Sequence, residues 1–124
     1  MIRICPSILN ANFDNLPNEI RRVSEVSDLL HLDVMDNVFV PNFTFDLERS
    51  LEIIQLSALP VDVHLMISHA DEKATSFVTT NTASITVHLE ACSDPIATLR
   101  SIRARKVRAG LAIKPHTPIE AVEE

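Results

Sequence analysis

Leu29-Leu30-His31-Leu32-Asp33-Val34-Met35 alternates apolar and polar side chains, and the fold is decided by how that alternation is read. Successive side chains of a β-strand point to opposite faces, so Leu30, Leu32 and Val34 share one face while His31, Asp33 and Met35 share the other. The same split recurs downstream. Val61, Val63 and Leu65 oppose Asp62, His64 and Met66, and Ile85, Val87 and Leu89 oppose Thr86, His88 and Glu90. Apolar faces of this kind need helices to cover them, which turns the polar faces toward a shared interior.

Working outward, short apolar runs alternate with helical periodicity about every 25 to 30 residues, the length of a βα unit. Strands are expected over Arg3–Ile8, Leu29–Met35, Val61–Met66, Ile85–Glu90 and Val107–Lys114, all rich in Ile, Val and Leu. Helices are expected over Leu16–Ser27, Asp46–Ser57, Asp71–Thr80 and Pro95–Arg105, with Leu16, Ile20, Val23 and Val26 forming one apolar stripe. Asp94-Pro95 pairs a capping carboxylate with a proline suited to the first helical position. Thr117-Pro118-Ile119-Glu120 has the spacing of a capping box and predicts a fifth helix that the sequence leaves at Glu124, so the chain reads as a truncation. Parallel strands joined through helices imply right-handed crossovers, in an open α/β sheet or part of a closed barrel. No glycine-rich turn follows the first strand, which disfavours a dinucleotide-binding sheet.

Composition narrows the function classes. The 124 residues are 46% hydrophobic and 23% charged, enough for one domain with a core that needs no disulfide or structural metal. Seventeen acidic against eleven basic residues, with neither Trp nor Tyr, argue against nucleic acid. No apolar run approaches the ~20 residues of a membrane span. Met1-Ile2-Arg3-Ile4-Cys5-Pro6 lacks the apolar core of a secretory leader, so a cytoplasmic protein is expected. Cys5 and Cys92 stand far apart and are expected to be reduced and packed. The one glycine, Gly110, leaves no room for a glycine-rich phosphate loop within these residues.

The polar strand faces carry the chemistry. His31 and Asp33 lie two apart on one face, and His64 sits at matching depth on the next strand. A single strand histidine is more often a satisfied core residue than a ligand, but three metal-type ligands converging from adjacent strands favour a metal site. Two imidazoles and a carboxylate suit Zn²⁺, Fe²⁺, Mn²⁺ or Co²⁺ better than Mg²⁺ or Ca²⁺. Asp62 and Glu90 could orient the ligand imidazoles or simply line the interior wall, two readings of equal weight. Met35 and Met66 read narrowly as core filler. Ser7 could reach a ligand or close a turn. His69, His116, Glu120, Glu123 and Glu124 read as solvated surface.

With these residues placed, the chain resembles the ribulose-phosphate 3-epimerase family of cytosolic (β/α)8-barrel enzymes of the pentose phosphate pathway. The resemblance is carried by Pro6-Ser7-Ile8-Leu9, His31-Leu32-Asp33-Val34-Met35-Asp36, Phe39-Val40-Pro41-Asn42, Asp62-Val63-His64-Leu65-Met66, Thr86-Val87-His88-Leu89-Glu90-Ala91 and Lys114-Pro115-His116-Thr117-Pro118. It runs from Ile4 to the last residue and departs at Asn37, where the family usually has glycine.

The resemblance implies a fold and a reaction. Residues 1–124 would be the N-terminal portion of a TIM (β/α)8 barrel, about four and a half βα units of a ribulose-phosphate-binding barrel, truncated inside the fifth helix. The reaction would interconvert D-ribulose 5-phosphate and D-xylulose 5-phosphate by two-base proton transfer at C3 through an enediolate. Asp33 would be one acid/base and a ligand to one divalent metal ion (Zn, Fe, Mn or Co), with His31 and His64 as further ligands. Ser7, His64, Met35 and Met66 would meet the substrate. The family's second catalytic aspartate and its phosphate-gripping loops fall outside these residues, so the chain alone is not expected to sustain turnover. A related ketose phosphate such as allulose 6-phosphate is the runner-up substrate. A noncatalytic metal-binding half-barrel is the alternative from another class. Open strand edges and an uncovered interior predict a homo-oligomer.

Overall fold

The computed structural model describes residues 1–123. Four parallel strands, β1 (Leu30–Met35), β2 (Val61–Met66), β3 (Thr82–His88) and β4 (Arg108–Ala112), lie in sequence order in one sheet. Helices α1 (Leu16–Ser24), α2 (Leu47–Leu56), α3 (Ala70–Lys73) and α4 (Pro95–Ala104) alternate with them. The result is an α/β fold consistent with the N-terminal part of a TIM barrel. No helix among the described residues is long and apolar enough to cross a membrane.

The apolar strand faces meet the helices as their alternation requires. Leu30, Leu32, Val61, Val63, Leu65, Ile85 and Val87 are fully buried with Leu16, Ile53, Ile54 and Ile102 in a single core cluster. Helix starts follow the chemistry of their caps. Asp46 accepts from the Arg49 N–H at 2.8 Å and Asp94 from the Ala97 N–H at 3.0 Å, each satisfying a backbone donor in the first turn.

Gly110 faces Thr86 across the β3–β4 ladder, and a Cβ at this position would collide with the threonine hydroxyl. The close approach of the two strands accounts for glycine here. Asn37, where the resemblance leads one to expect glycine, takes a left-handed φ of 58°.

Several boundaries differ from the sequence reading. Arg3–Ile8 is extended beside β1 but forms one isolated bridge, Ser7 to His31, instead of a strand. It still exchanges backbone bonds with its neighbour: His31 N–H donates to Pro6 at 2.8 Å and Ile8 N–H to His31 at 3.3 Å. Pro6 has no N–H, so the ladder is interrupted within the segment. The third expected helix shortens to α3 followed by a 3-10 segment, Ala74–Phe77. Helix α1 stops at Ser24, leaving Val26, the last residue of the supposed stripe, 69% exposed.

The fifth expected helix is a 3-10 turn, Ile119–Val122. Thr117 does not cap it, because its hydroxyl donates to Glu90 at 2.6 Å. Both cysteines are free, but Cys5 is exposed and only Cys92 is partly packed. His69, His116, Glu120 and Glu123 are exposed as expected. Glu124 lies outside the described residues.

Candidate functional site

The in-register pairing of β1 with β2 sets Asp33 beside His64 and His31 beside Asp62. Alternation puts all four on the face away from the helices. Asp33 is nearly buried, and its Oδ1 is 3.1 Å from both His31 Nε2 and His64 Nδ1. Its Oδ2 accepts from the Ser7 hydroxyl at 2.9 Å. Ser7 also accepts from the Leu9 N–H at 3.1 Å, so it both reaches the site and closes its turn.

The other nitrogen of His31, Nδ1, donates to Asp62 Oδ2 at 2.8 Å, and Asp62 Oδ1 accepts from the Ser84 hydroxyl. A bulge between β2 and β3 makes this last contact. Val61 pairs with Thr82 and Asp62 with Ser84, so Ala83 is skipped and Ser84 is brought opposite the carboxylate.

The charges follow from these bonds. Hydrogen bonds to Asp33 and Asp62 outweigh burial and push the His31 pKa up to about 10, so the ring is an imidazolium at neutral pH. Burial alone would raise the Asp33 pKa, but hydrogen bonds from His31, His64 and Ser7 together hold it well below the usual carboxylate range. The His31 hydrogen bond lowers the Asp62 pKa, with Ser84 adding to it against the effect of burial. An ionised carboxylate thus sits between the His31 imidazolium and the His64 ring.

Met35 and Met66 face each other in register at the strand ends, half-buried on the same side as the histidines. Neither belongs to the apolar core cluster, so the filler reading does not describe them. Glu90 lies past the end of β3 in a 3-10 turn, Leu89–Ala91. Its Oε1 accepts from the Lys114 N–H at 2.5 Å and the Thr117 hydroxyl at 2.6 Å, fastening the segment after β4. Glu90 therefore orients neither His31 nor His64. Its nearest imidazole contact is His88 Nδ1 at 3.7 Å, beyond hydrogen-bond reach.

Alternation brings His88 into the same interior as His31, Asp33 and His64, as expected, but three sets of contacts escaped the sequence reading. His88 stacks on His64, with ring centroids 5.0 Å apart, and their Nε2 atoms meet at 2.8 Å. Phe39 packs on His88, and the Lys114 ammonium lies 3.9 Å over the Phe39 ring. Asp36 ties the loop after β1 to the end of β2: its carboxylate accepts from the N–H groups of Val38, Phe39 and Ser68 and from the Ser68 hydroxyl. Alternation gave a signal for His88 alone, since it shares the polar face with Thr86.

The ligand atoms of His31, Asp33 and His64 all lie within 4.8 Å of one another, as one cation would require. Two imidazoles and a carboxylate make a donor set for zinc or a neighbouring transition metal, and the Asp62 carboxylate behind His31 is the partner such ligands ordinarily have. Cys5, His31 and Asp62 form a second group within the same limit. In both groups the candidate ligand atoms are hydrogen-bonded to one another, His31 to Asp62 at 2.8 Å and His31 and His64 to Asp33 at 3.1 Å, so a cation would displace the imidazole protons in either.

A parallel βα sheet that gathers two histidines and an aspartate from neighbouring strands on its inner face defines an α/β protein with a metal-type centre. The sequence profile described as "Ribulose-phosphate 3 epimerase family" matches residues 3–124, and the chain belongs to that family. It is 40% identical over 124 residues to a ribulose-phosphate 3-epimerase of Bacillus subtilis, covering 99% of this chain and 57% of the relative. A ribulose-phosphate 3-epimerase of Mycobacterium tuberculosis (strain ATCC 25618 / H37Rv) is 40% identical over 117 residues, 94% of this chain and 51% of the relative. One from Methanocaldococcus jannaschii is 36% identical over 124 residues, 99% and 52%. The chain spans about half the length of these curated relatives.

Proposed function

We propose that these residues serve a metal-dependent ribulose-phosphate 3-epimerase that interconverts D-ribulose 5-phosphate and D-xylulose 5-phosphate in the cytoplasm. The observation that carries the reading is the position of Asp33, whose Oδ1 stands 3.1 Å from both His31 Nε2 and His64 Nδ1. His31, Asp33 and His64 would hold one divalent ion. When bound, that ion supplies Lewis-acid stabilisation for the negative charge that develops on the substrate when C3 loses its proton.

Asp33 takes the C3 proton on one face. Its carboxylate is buried and ionised, and so is free to accept a proton. Ser7 orients Asp33 through Oδ2 and meets the substrate from the loop side, with His64. Met35 and Met66 close the wall and keep water from the enediolate. Inversion needs a second acid on the opposite face of C3, and among the described residues Asp33 is the one carboxylate bonded to both His31 and His64. Residues 1–124 thus contribute one half-site of a ribulose-phosphate-binding barrel, in a homo-oligomeric enzyme.

The test uses protein from its native source, with its intact mass recorded alongside. Incubation with D-ribulose 5-phosphate and Zn²⁺, Fe²⁺, Mn²⁺ or Co²⁺ in deuterated water is expected to yield D-xylulose 5-phosphate labelled at C3, and Asp33→Asn to abolish the label. Unlabelled product, or turnover indifferent to Asp33, would contradict the reading.

A further inference from the structure

His88 is a buried imidazole that the proposed reaction leaves unused. Only 8% of the residue is exposed, and its Nδ1 has no hydrogen-bond partner among the described residues. Its Nε2 stands 2.8 Å from Nε2 of His64, whose other nitrogen faces Asp33. Two imidazole nitrogens in contact need one proton between them, so the rings have coupled tautomers.

Two arrangements are self-consistent. In the first, His64 carries its proton on Nδ1 and donates it to Asp33, while His88 donates from Nε2 and its own Nδ1 is a bare lone pair. In the second, His64 carries its proton on Nε2 and donates to His88, which then holds its proton on Nδ1. The Glu90 carboxylate, 3.7 Å from that nitrogen, favours a proton there. Only the second arrangement frees the His64 Nδ1 lone pair for a cation. Both keep one proton on each ring, so the pair exchanges arrangements without a change of charge. Phe39 and Lys114 hold the stack from the outer side.

We propose that His88 is a positioning residue whose tautomer switches with that of His64, donating from Nε2 while the site is metal-free and accepting there once His64 Nδ1 binds a divalent ion. The inference rests on the reading of His31, Asp33 and His64 as ligands. It explains why a buried ring nitrogen is left without a partner: Nδ1 of His88 is the position that receives a proton in the loaded state.

The direct test is ¹⁵N NMR of histidine-labelled protein before and after one equivalent of Zn²⁺. The His88 proton is expected on Nε2 in the metal-free protein and on Nδ1 in the loaded one. In parallel, Co²⁺ titrations followed by visible absorption are expected to show binding weakened about 10–100-fold in His88→Leu. In His88→Gln, whose amide can either donate or accept, most of the affinity should be kept. A His88 proton on the same nitrogen in both states would overturn the switch, as would a His88→Leu affinity equal to wild type. Wild-type protein that takes up neither Zn²⁺ nor Co²⁺ would overturn the ligand reading itself, and with it the inference. The titration makes that failure distinct from a static His88.

Discussion

Asp33 is read differently by its two oxygens. Oδ1 is shared by His31 and His64, and Oδ2 is fixed by Ser7, so the carboxylate has little freedom to rotate. Alternation along β1 and β2 made this trio legible, because residues two apart on one strand and in register on the next must meet. The Asp62 contact was legible only as one of two options, since sequence gives the face but not the bulge that brings Ser84 up behind it. The stack of His64 on His88 was not legible, because it runs diagonally across the strands. His64 pairs with Thr86, one alternation short of His88. Asp62→Asn, which keeps the shape and removes the charge behind His31, is expected to weaken Co²⁺ binding about 10–100-fold in a visible-absorption titration. Unchanged affinity would mean that Asp62 is only a wall residue.

At the scale of elements, the loops at the C-terminal strand ends are held by carboxylates. Burial would raise the Asp36 pKa, but three backbone N–H groups and the Ser68 hydroxyl lower it to about 2 from the usual 3.8. The folded state therefore favours the ionised form, and the stability contributed by Asp36 is complete above pH ~4 and lost as pH falls through about 2. Asp36→Asn is expected to cost about 1 kcal/mol at pH 7, a modest value because the loop is open to solvent. Chemical denaturation should show that deficit shrinking toward pH 2. A deficit constant over that range would mean that the charge is immaterial.

Gly110→Ala is expected to destabilise by about 1–3 kcal/mol through overpacking against Thr86. Thr86→Ala in the same chain should recover most of the loss, and additive unfolding energies for the two changes would contradict the contact. The helix start at Asp94 was legible because a capping side chain acts within four residues, whereas Asp46, read as the first helical residue, is itself the cap of α2. Thr117 misled for the complementary reason. A distant partner, Glu90, took its hydroxyl.

Over the whole molecule, alternation and βα spacing were enough to give the parallel sheet, but they left an open sheet and a barrel segment as alternatives, and the sequential strand order is a finding of the structure. The first segment was overread, because a run of apolar residues cannot show that Pro6 interrupts pairing. The sheet presents its polar face, with Ile2, Ile4, Leu9, Val38 and Phe43 exposed outside the core. Residues 1–124 studied as a free polypeptide are expected to associate, and sedimentation velocity should show species heavier than the monomer. A single sharp monomer boundary with a cooperative melt would contradict that.

On the proposed function, His31, Asp33 and His64 together hold one metal ion. X-ray absorption of protein loaded with one equivalent of Zn²⁺ tests it most directly. Stoichiometric uptake is expected, with two imidazole ligands and oxygen at about 2.0–2.2 Å and no sulfur. A sulfur shell near ~2.3 Å would place the ion at Cys5, His31 and Asp62 instead, and either that shell or the absence of bound zinc would contradict the account.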